Sequence, residues 1–308
     1  AGGGGTAHTG NTSLGYKSMY SIASGGNNVA IGSNAMYGGV GASNSVAVGT
    51  EALYVATSGV GNIALGYRAG KALGNAEKEN IAIGYHAMYL MDEGSGANVD
   101  ENIAIGSNAM QGKDLGSAST DITRNIAIGK EALLLSNALA ASDNIAMGYR
   151  ALKTVTSGTD NIAMGSEAGD AITTGTYNIA MGEYALSSVN TGGSNIGIGR
   201  IAGANNTSAN GNIYIGYGSG YSNQTGIGNT IIGNSSYGQS AVAGLNITSV
   251  TTVGNEAGYY ATGSYNTFVG AEAGKGGNTS APFSSGEYNT AIGYAALDAF
   301  TTGASNTV

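Results

Sequence analysis

Clustered carboxylates are the most prominent reactive side chains of this sequence. Acidic side chains concentrate in four insertions between residues 71 and 143, with adjacent pairs at Asp92-Glu93 and Asp100-Glu101. Such clusters can hold a divalent cation, but neither the spacing of an EF-hand loop nor a Gly-Gly-x-Gly-x-Asp calcium repeat occurs. We therefore expect no metal site, and take Asp92, Glu93, Asp100 and Glu101 as candidate surface-binding residues on loops.

Tyrosines form the second chemical signal. Six of them follow a recurring glycine directly: Tyr16, Tyr67, Tyr85, Tyr149, Tyr217 and Tyr294. An aromatic ring with a polar hydroxyl can stack on a sugar ring or on a neighbouring subunit. The same side chains can also simply cap the edges of a repeat. Both interpretations remain open, and the six are candidate surface-binding residues.

Catalytic arrangements are missing from the sequence. The two histidines, His8 and His86, are far apart, and no Ser/His/Asp or Cys/His arrangement is available. Glycine-rich segments such as Gly25-Gly26 are followed by no helix that could bind a phosphate. We expect no enzyme, no catalytic residue and no cofactor. A polysaccharide-active β-helix enzyme is the remote alternative.

Composition narrows the class of protein. The 308 residues include 55 glycines, one proline and no cysteine, and the net charge is −8. Nucleic-acid binding needs clustered lysine and arginine, whereas the eleven cations are scattered, so neither nucleic acid nor an anionic membrane is an expected partner. The sequence contains no run of about 18 apolar residues, so we expect no membrane insertion. The glycine-rich beginning and an ending inside a repeat copy suggest a processed product or a fragment.

The secondary structure that carries these residues is predicted from one repeated unit, Asn28-Val29-Ala30-Ile31-Gly32. Its first residue, position 1, recurs with a basic spacing of 17 residues. The copies begin at residues 11, 28, 45, 62, 80, 102, 125, 144, 161, 178, 195, 212, 229, 250, 266, 289 and 306. This period is too short for a helical hairpin or a propeller blade. It predicts an all-β parallel β-solenoid (β-roll) of about 16 coils, continuous over residues 1–308.

Longer spacings locate insertions between the second half of one coil and the next. They fall near residues 71–79, 90–101, 111–124, 134–143, 239–249 and 275–288. Loops on a rigid framework are frequent binding sites. The alternative is that the insertions are solvated surface loops or form contacts between chains.

Each position of the unit has a predicted role. Positions 2 and 4 are large aliphatic or β-branched residues that share one strand face, which we expect to be the core. The glycine at position 5 predicts a corner with positive φ or too little space for a Cβ atom. A small residue recurs at position 8, and we expect a second short strand to follow it, beginning at position 9. The asparagines predict an amide ladder between coils.

Position 3 then faces away from positions 2 and 4. It is alanine in most copies, which a water-facing strand would not require. We therefore expect this strip to pack against another chain, in a homotrimer around a common axis or, second, in a laterally packed filament. The candidate interface residues are Ala30, Ala47, Ala64, Ala82, Ala104, Ala127, Ala146, Ala163 and Ala180.

The unit resembles the repeat of trimeric autotransporter adhesin heads. The segment Asn44-Ser45-Val46-Ala47-Val48-Gly49-Thr50-Glu51-Ala52 carries that resemblance, and Asn289 to Ala296 is similar to repeats of phage and virus tail fibres. The resemblance implies a left-handed parallel β-roll, three chains per fibre and attachment to a surface such as a host matrix or a glycan. The basic period of 17 differs from the family's shorter one.

Together these features predict a non-enzymatic fibre or adhesin segment. Its expected location is extracellular, on a cell or virion surface. The expected partner is the chain itself, with a glycan or host-surface ligand possible. A purely structural, self-assembling filament subunit is the alternative.

Overall fold

A computed structural model describes residues 9–74, 76–90, 98–112, 121–135, 140–237, 245–277 and 284–308. The predicted binding residues Asp92 and Glu93, His8 and the middles of several insertions lie outside the described residues. The chain divides into two units, residues 1–160 and residues 161–308. Within the described residues, all regular structure is β, and no helix suited to crossing a bilayer occurs.

The first unit stacks eight strands into one parallel sheet. These are β1 (Thr12–Leu14), β2 (Val29–Ile31), β3 (Val46–Val48), β4 (Ile63–Leu65), β5 (Ile81–Ile83), β7 (Ile103–Ile105), β9 (Ile126–Ile128) and β10 (Ile145–Met147). Two further strands, β6 (Val99–Asp100) and β8 (Ile122–Thr123), pair with each other at the insertions. Each coil therefore contributes one strand to the main sheet.

The second unit repeats this arrangement with eight strands. These are β11 (Ile162–Met164), β12 (Ile179–Met181), β13 (Ile196–Ile198), β14 (Ile213–Ile215), β15 (Thr230–Ile232), β16 (Thr251–Val253), β17 (Thr267–Val269) and β18 (Thr290–Ile292). Equivalent residues face each other in register, for example Ala163 opposite Ala180. The predicted parallel β-solenoid is confirmed, with its basic period of 17 residues.

The glycine at position 5 ends every strand for the expected reason. Gly32 has a φ of 133°, and a Cβ atom built on it would lie 2.6 Å from the carbonyl oxygen of Gly49 in the next coil. Any other residue would combine backbone strain with a clash against backbone. The corner therefore requires glycine in each coil.

The alanines at position 3 lie inside the coil, which corrects the predicted interface. All nine candidates have no exposed surface in the single chain: Ala30, Ala47, Ala64, Ala82, Ala104, Ala127, Ala146, Ala163 and Ala180. The interior at this point is narrow. A Cβ atom built on Gly197, which occupies position 3 of its coil, would lie 2.7 Å from Cγ of Leu186. Position 3 is small because it faces a large side chain across the coil.

Positions 2 and 4 consequently point outward, opposite to the expectation that they form the core. In β3, for instance, Val46 and Val48 are half-buried, whereas Ala47 between them is fully buried. At position 4, Ile31, Met164 and Ile198 are 37–38% exposed. Period-two alternation assigns residues to faces, but it does not say which face is inside.

The predicted second strand is replaced by a turn. Positions 7 and 9 take the left-handed conformation even without glycine, as at Asn34 (φ 55°) and Met36 (φ 50°). An extended strand cannot contain such residues. Hydrogen bonds between coils still connect this side, for example from Met36 N to the carbonyl of Ala52 at 2.9 Å.

Position 9 supplies the large core side chain. Met36, Leu53 and Leu133 are fully buried there. In two coils with an aromatic residue at position 3, Tyr214 and Phe268, position 9 is glycine, whereas Ile231 at position 3 is accompanied by Tyr237. The ring of Tyr214 fills the space beside Gly220, on which a Cβ atom would lie 2.1 Å from that ring.

The predicted asparagine ladder is confirmed within both units. Asn178 Nδ2 donates to Oδ1 of Asn161 at 3.1 Å and to the carbonyl of Gly192 at 2.9 Å. Its Oδ1 accepts from the backbone nitrogen of Asn195 at 3.0 Å. The side chain is fully buried, so these bonds satisfy polar groups that water cannot reach.

Candidate binding surface

Two surfaces of the coil carry residues that could engage partners. The first is the outer face of the main sheet, formed by positions 2 and 4, which we call the apolar sheet face. Across the sixteen strands these two positions hold only valine, isoleucine, leucine, methionine and threonine. No charge interrupts the face, although half-exposed strand positions normally carry polar residues.

The six predicted tyrosines at position 6 are all exposed. Tyr16, Tyr85 and Tyr294 show 69%, 53% and 77% of their surface. Tyr67, Tyr149 and Tyr217 lie under an arginine, with the guanidinium carbon 4.8–5.8 Å from the ring centroid. Tyr67 and Tyr85 come together, with their ring centroids 5.5 Å apart. In the first unit, Tyr16 and Tyr149 lie in coils that are not adjacent to these two, and in the second unit Tyr217 and Tyr294 lie four coils apart.

Another set of tyrosines, at position 10, forms a column. Tyr20, Tyr37 and Tyr54 belong to consecutive coils and stack nearly parallel, with centroid distances of 5.2 and 5.1 Å and interplanar angles of 7° and 6°. Offset stacking at this distance is favourable for aromatic rings. No side-chain hydrogen bond engages these three hydroxyls within the described part of the chain.

Cations flank this column at both ends. Lys17 Nζ lies 5.4 Å from the ring centroid of Tyr20, and Lys71 Nζ lies 5.3 Å from that of Tyr54. Arg68 and Lys71 also approach Tyr89, at 6.0 and 5.8 Å. Distances within about 6 Å fit cation–π attraction. We call this set the tyrosine–cation surface, consisting of Lys17, Tyr20, Tyr37, Tyr54, Arg68, Lys71 and Tyr89.

One carboxylate organises the cationic end of this surface. Glu51 Oε2 accepts from Lys71 Nζ at 2.9 Å and from Arg68 Nε at 2.8 Å. The Lys71 ammonium, followed by the Arg68 guanidinium, holds the pKa of Glu51 below its usual range. The trio keeps a net positive charge and a fixed geometry.

His86 extends the aromatic set beside the same cations. Its ring stacks between Tyr85 and Tyr89, with centroids 4.0 and 4.4 Å away. Burial, with a smaller effect from Arg68 and Lys71, lowers the pKa of His86. The imidazole is therefore neutral near pH 7 and behaves as another ring of the stack.

Asp100 and Asp143, two described acids of the insertions, have structural partners. Asp100 Oδ1 accepts from the backbone nitrogen of Lys78 at 2.7 Å, and Asp143 pairs with Arg124 at 2.7 Å. Glu101 is exposed. Among the described residues, no group of three His, Cys, Asp or Glu is placed to hold a metal ion.

Sequence reasoning missed the position-10 column, although its signal is readable. Tyr20, Tyr37 and Tyr54 are spaced by 17 residues, the period of the repeat itself. The flanking cations also stand out, because Lys17, Arg68 and Lys71 are the only lysine or arginine residues before residue 76.

The architecture defines a parallel β-solenoid repeat protein. Comparisons with protein-family models, with curated proteins and with solved structures gave no match.

Proposed function

We propose that the chain is a non-enzymatic, extracellular fibre or adhesin segment that assembles by packing its apolar sheet faces together. The observation that carries the proposal is that positions 2 and 4 hold only aliphatic residues, methionine and threonine, without a single charge, in all sixteen strands. Three copies around a common axis is the proposed arrangement. It replaces the alanine strip as the contact surface, because those alanines are buried within each chain.

The dimensions of the face support an interface. Eight strands about 4.8 Å apart form a strip roughly 34 Å long and about 10 Å wide in each unit. That is roughly 340 Å² of projected area, similar to the largest apolar patch on a typical monomer. Each unit thus provides close to half of the about 800 Å² that a partner contributes to a standard stable interface.

An attachment role is supported by the separation of the two surfaces. The tyrosine–cation surface occupies positions 7 and 10, outside the sheet. Packing of sheet faces would leave these side chains accessible to a ligand. Exposed aromatic residues on a rigid framework are typical of ligand binding. A purely structural filament would not need them.

Native mass spectrometry or light scattering tests the assembly. We expect a mass three times the 30.3 kDa of the chain. Met164 and Met181 are opposite each other in β11 and β12 and are 38% and 37% exposed. Met164→Glu combined with Met181→Glu should dissociate the trimer, because the interface would otherwise bury charges without partners.

The matched control places the same two charges in the same coils but outside the sheet. Ser166→Glu with Ser187→Glu should leave the mass unchanged. A wild-type chain that is a monodisperse monomer would overturn the proposal, as would dissociation by the control pair alone. Open-ended oligomers of increasing mass would favour the filament alternative.

A further inference from the structure

Charge is distributed unevenly along the chain. Residues 1–89, which span the tyrosine–cation surface, contain four cations and three acids, a net charge of +1. The remaining residues contain seven cations and sixteen acids, a net charge of −9. The tyrosine–cation surface is therefore a positive region on an acidic protein, and it attracts anions locally.

The cations are spaced along the stacking direction. Lys17 belongs to the first coil and Lys71 to the fourth, so they are about 14 Å apart at the strand spacing of about 4.8 Å. Tyr20, Tyr37 and Tyr54 lie between them, one in each coil. A ligand that satisfies both ends must be extended and must carry separated negative groups.

The tyrosines determine what lies between those charges. Both ring faces of Tyr37 are covered by its neighbours, so the column presents ring edges and hydroxyl groups. Bases of single-stranded nucleic acid require free aromatic faces on which to stack. A phenol hydroxyl, by contrast, both donates and accepts hydrogen bonds, as the hydroxyls of a sugar do.

We propose that the tyrosine–cation surface binds an acidic polysaccharide laid along the stacking direction of the coils. Carboxylate or sulfate groups of the polymer pair with Lys17 at one end and with the Lys71 region at the other. Sugar hydroxyls bond to the phenol hydroxyls between them. This rests on the attachment role proposed above and extends it by naming the class of ligand.

An open pocket at the first coil supports the placement of one anionic group. It is lined by Tyr16, Lys17 and Tyr20 together with Ser13, Gly15 and Ser18. Lys17 forms no ion pair within the described residues, so its ammonium is available to a ligand. The contact would be charge-assisted and correspondingly strong.

Binding of the full chain to immobilised polygalacturonate and heparin tests the proposal, with dextran as the neutral polymer. We expect binding to the acidic polymers and none to dextran. Lys71→Met should weaken it about tenfold through loss of a charge-assisted hydrogen bond. Tyr37→Phe, which keeps the stack and removes one hydroxyl, should weaken it about fivefold.

The second unit offers a matched control for each variant. Lys275 also occupies position 10 and pairs with Glu256 at 2.7 Å, as Lys71 pairs with Glu51. Tyr259 occupies the position of Tyr37. Lys275→Met and Tyr259→Phe should leave binding unchanged. Equal losses in control and test variants would show that the surface is not specific and would overturn the proposal.

A lipid ligand and a failure of assembly give different results in these assays. Binding to phosphatidylserine vesicles without binding to either acidic polymer would overturn the proposal in favour of a membrane ligand. A trimeric chain that binds neither acidic polymer would refute only the ligand assignment. Conversely, a monomeric chain that still binds polygalacturonate would refute the assembly and keep the ligand.

Discussion

The exchange of large and small side chains between positions 3 and 9 gives the sharpest test of the fold. Tyr214 is fully buried, and Gly220 faces its ring. Replacing Tyr214 by Ala should lower the free energy of unfolding by about 3–5 kcal/mol, because a buried aromatic ring is lost. Replacing Gly220 by Leu should cost about 1–3 kcal/mol by overpacking and about 1–2 kcal/mol for the left-handed backbone.

The double variant should recover part of these losses. Alanine at position 3 with leucine at position 9 is the arrangement of the coil that contains Ala127 and Leu133, where Leu133 adopts a φ of 47°. The new leucine would occupy the space vacated by Tyr214. We expect the double variant to be at least about 2 kcal/mol more stable than the sum of the single changes.

Urea unfolding of the four proteins measures this coupling, and amide hydrogen exchange of β14 locates it in the correct coil. Local exchange is needed because repeat arrays can unfold in parts. If the double variant loses as much stability as the two single variants together, within about 0.5 kcal/mol, the two side chains do not occupy the same space. The assignment of position 3 to the interior would then lose its energetic support.

Three further predictions concern the buried polar groups. Asn178→Ala should lower the free energy of unfolding by about 3 kcal/mol, because it leaves the amide of Asn195 without its acceptor; a loss below about 1 kcal/mol would contradict a continuous ladder. Val250 interrupts the asparagine ladder after Asn229. Val250→Asn should therefore stabilise the second unit by about 1 kcal/mol in the same urea assay. A lower stability of this variant would show that the ladder has no gap to fill at this position. Burial raises the pKa of Tyr237, so its stabilising contribution is complete below about pH 10 and is lost as pH rises above that value. Tyr237→Phe should therefore flatten the loss of stability at alkaline pH, and an unchanged pH profile would argue against this effect.

Much of the fold could be predicted from the repeat because each coil makes the same backbone demand. The 17-residue period and the glycine at position 5 specify a stacked corner, and the asparagines specify a ladder. What the pattern did not specify was which face of the strand is interior. Large aliphatic residues normally mark a core, yet here Ile31 is outside and Ala30 is inside.

The physical reason is the narrow interior of a single coil. A large side chain from position 9 fills much of the interior, so position 3 is small beside it in most coils, although the coil with Ile231 and Tyr237 holds a large residue at both positions. The sequence does contain this signal. Phe268 at position 3 is accompanied by Gly274 at position 9, as Tyr214 is by Gly220.

The candidate site was predicted less completely, because its geometry depends on neighbouring coils. Tyr67 and Tyr85 were selected correctly as surface residues, but the set that surrounds Lys71 combines positions 6, 7 and 10 of several coils. The stacking of His86 on Tyr89 depends on such neighbours, and a pattern confined to one coil cannot show it.

The reversed orientation of the strand changes the functional argument as well as the core. An outward alanine strip would have made the interface a narrow close contact and left the aliphatic residues to stabilise a single chain. With positions 2 and 4 outside, each coil instead keeps apolar surface that is removed from water only by a partner. Because association would then contribute to stability, urea resistance should increase with protein concentration. In the proposed assembly the same packing would leave positions 7 and 10 in solvent, so assembly and anion binding would depend on separate side chains that can be replaced independently.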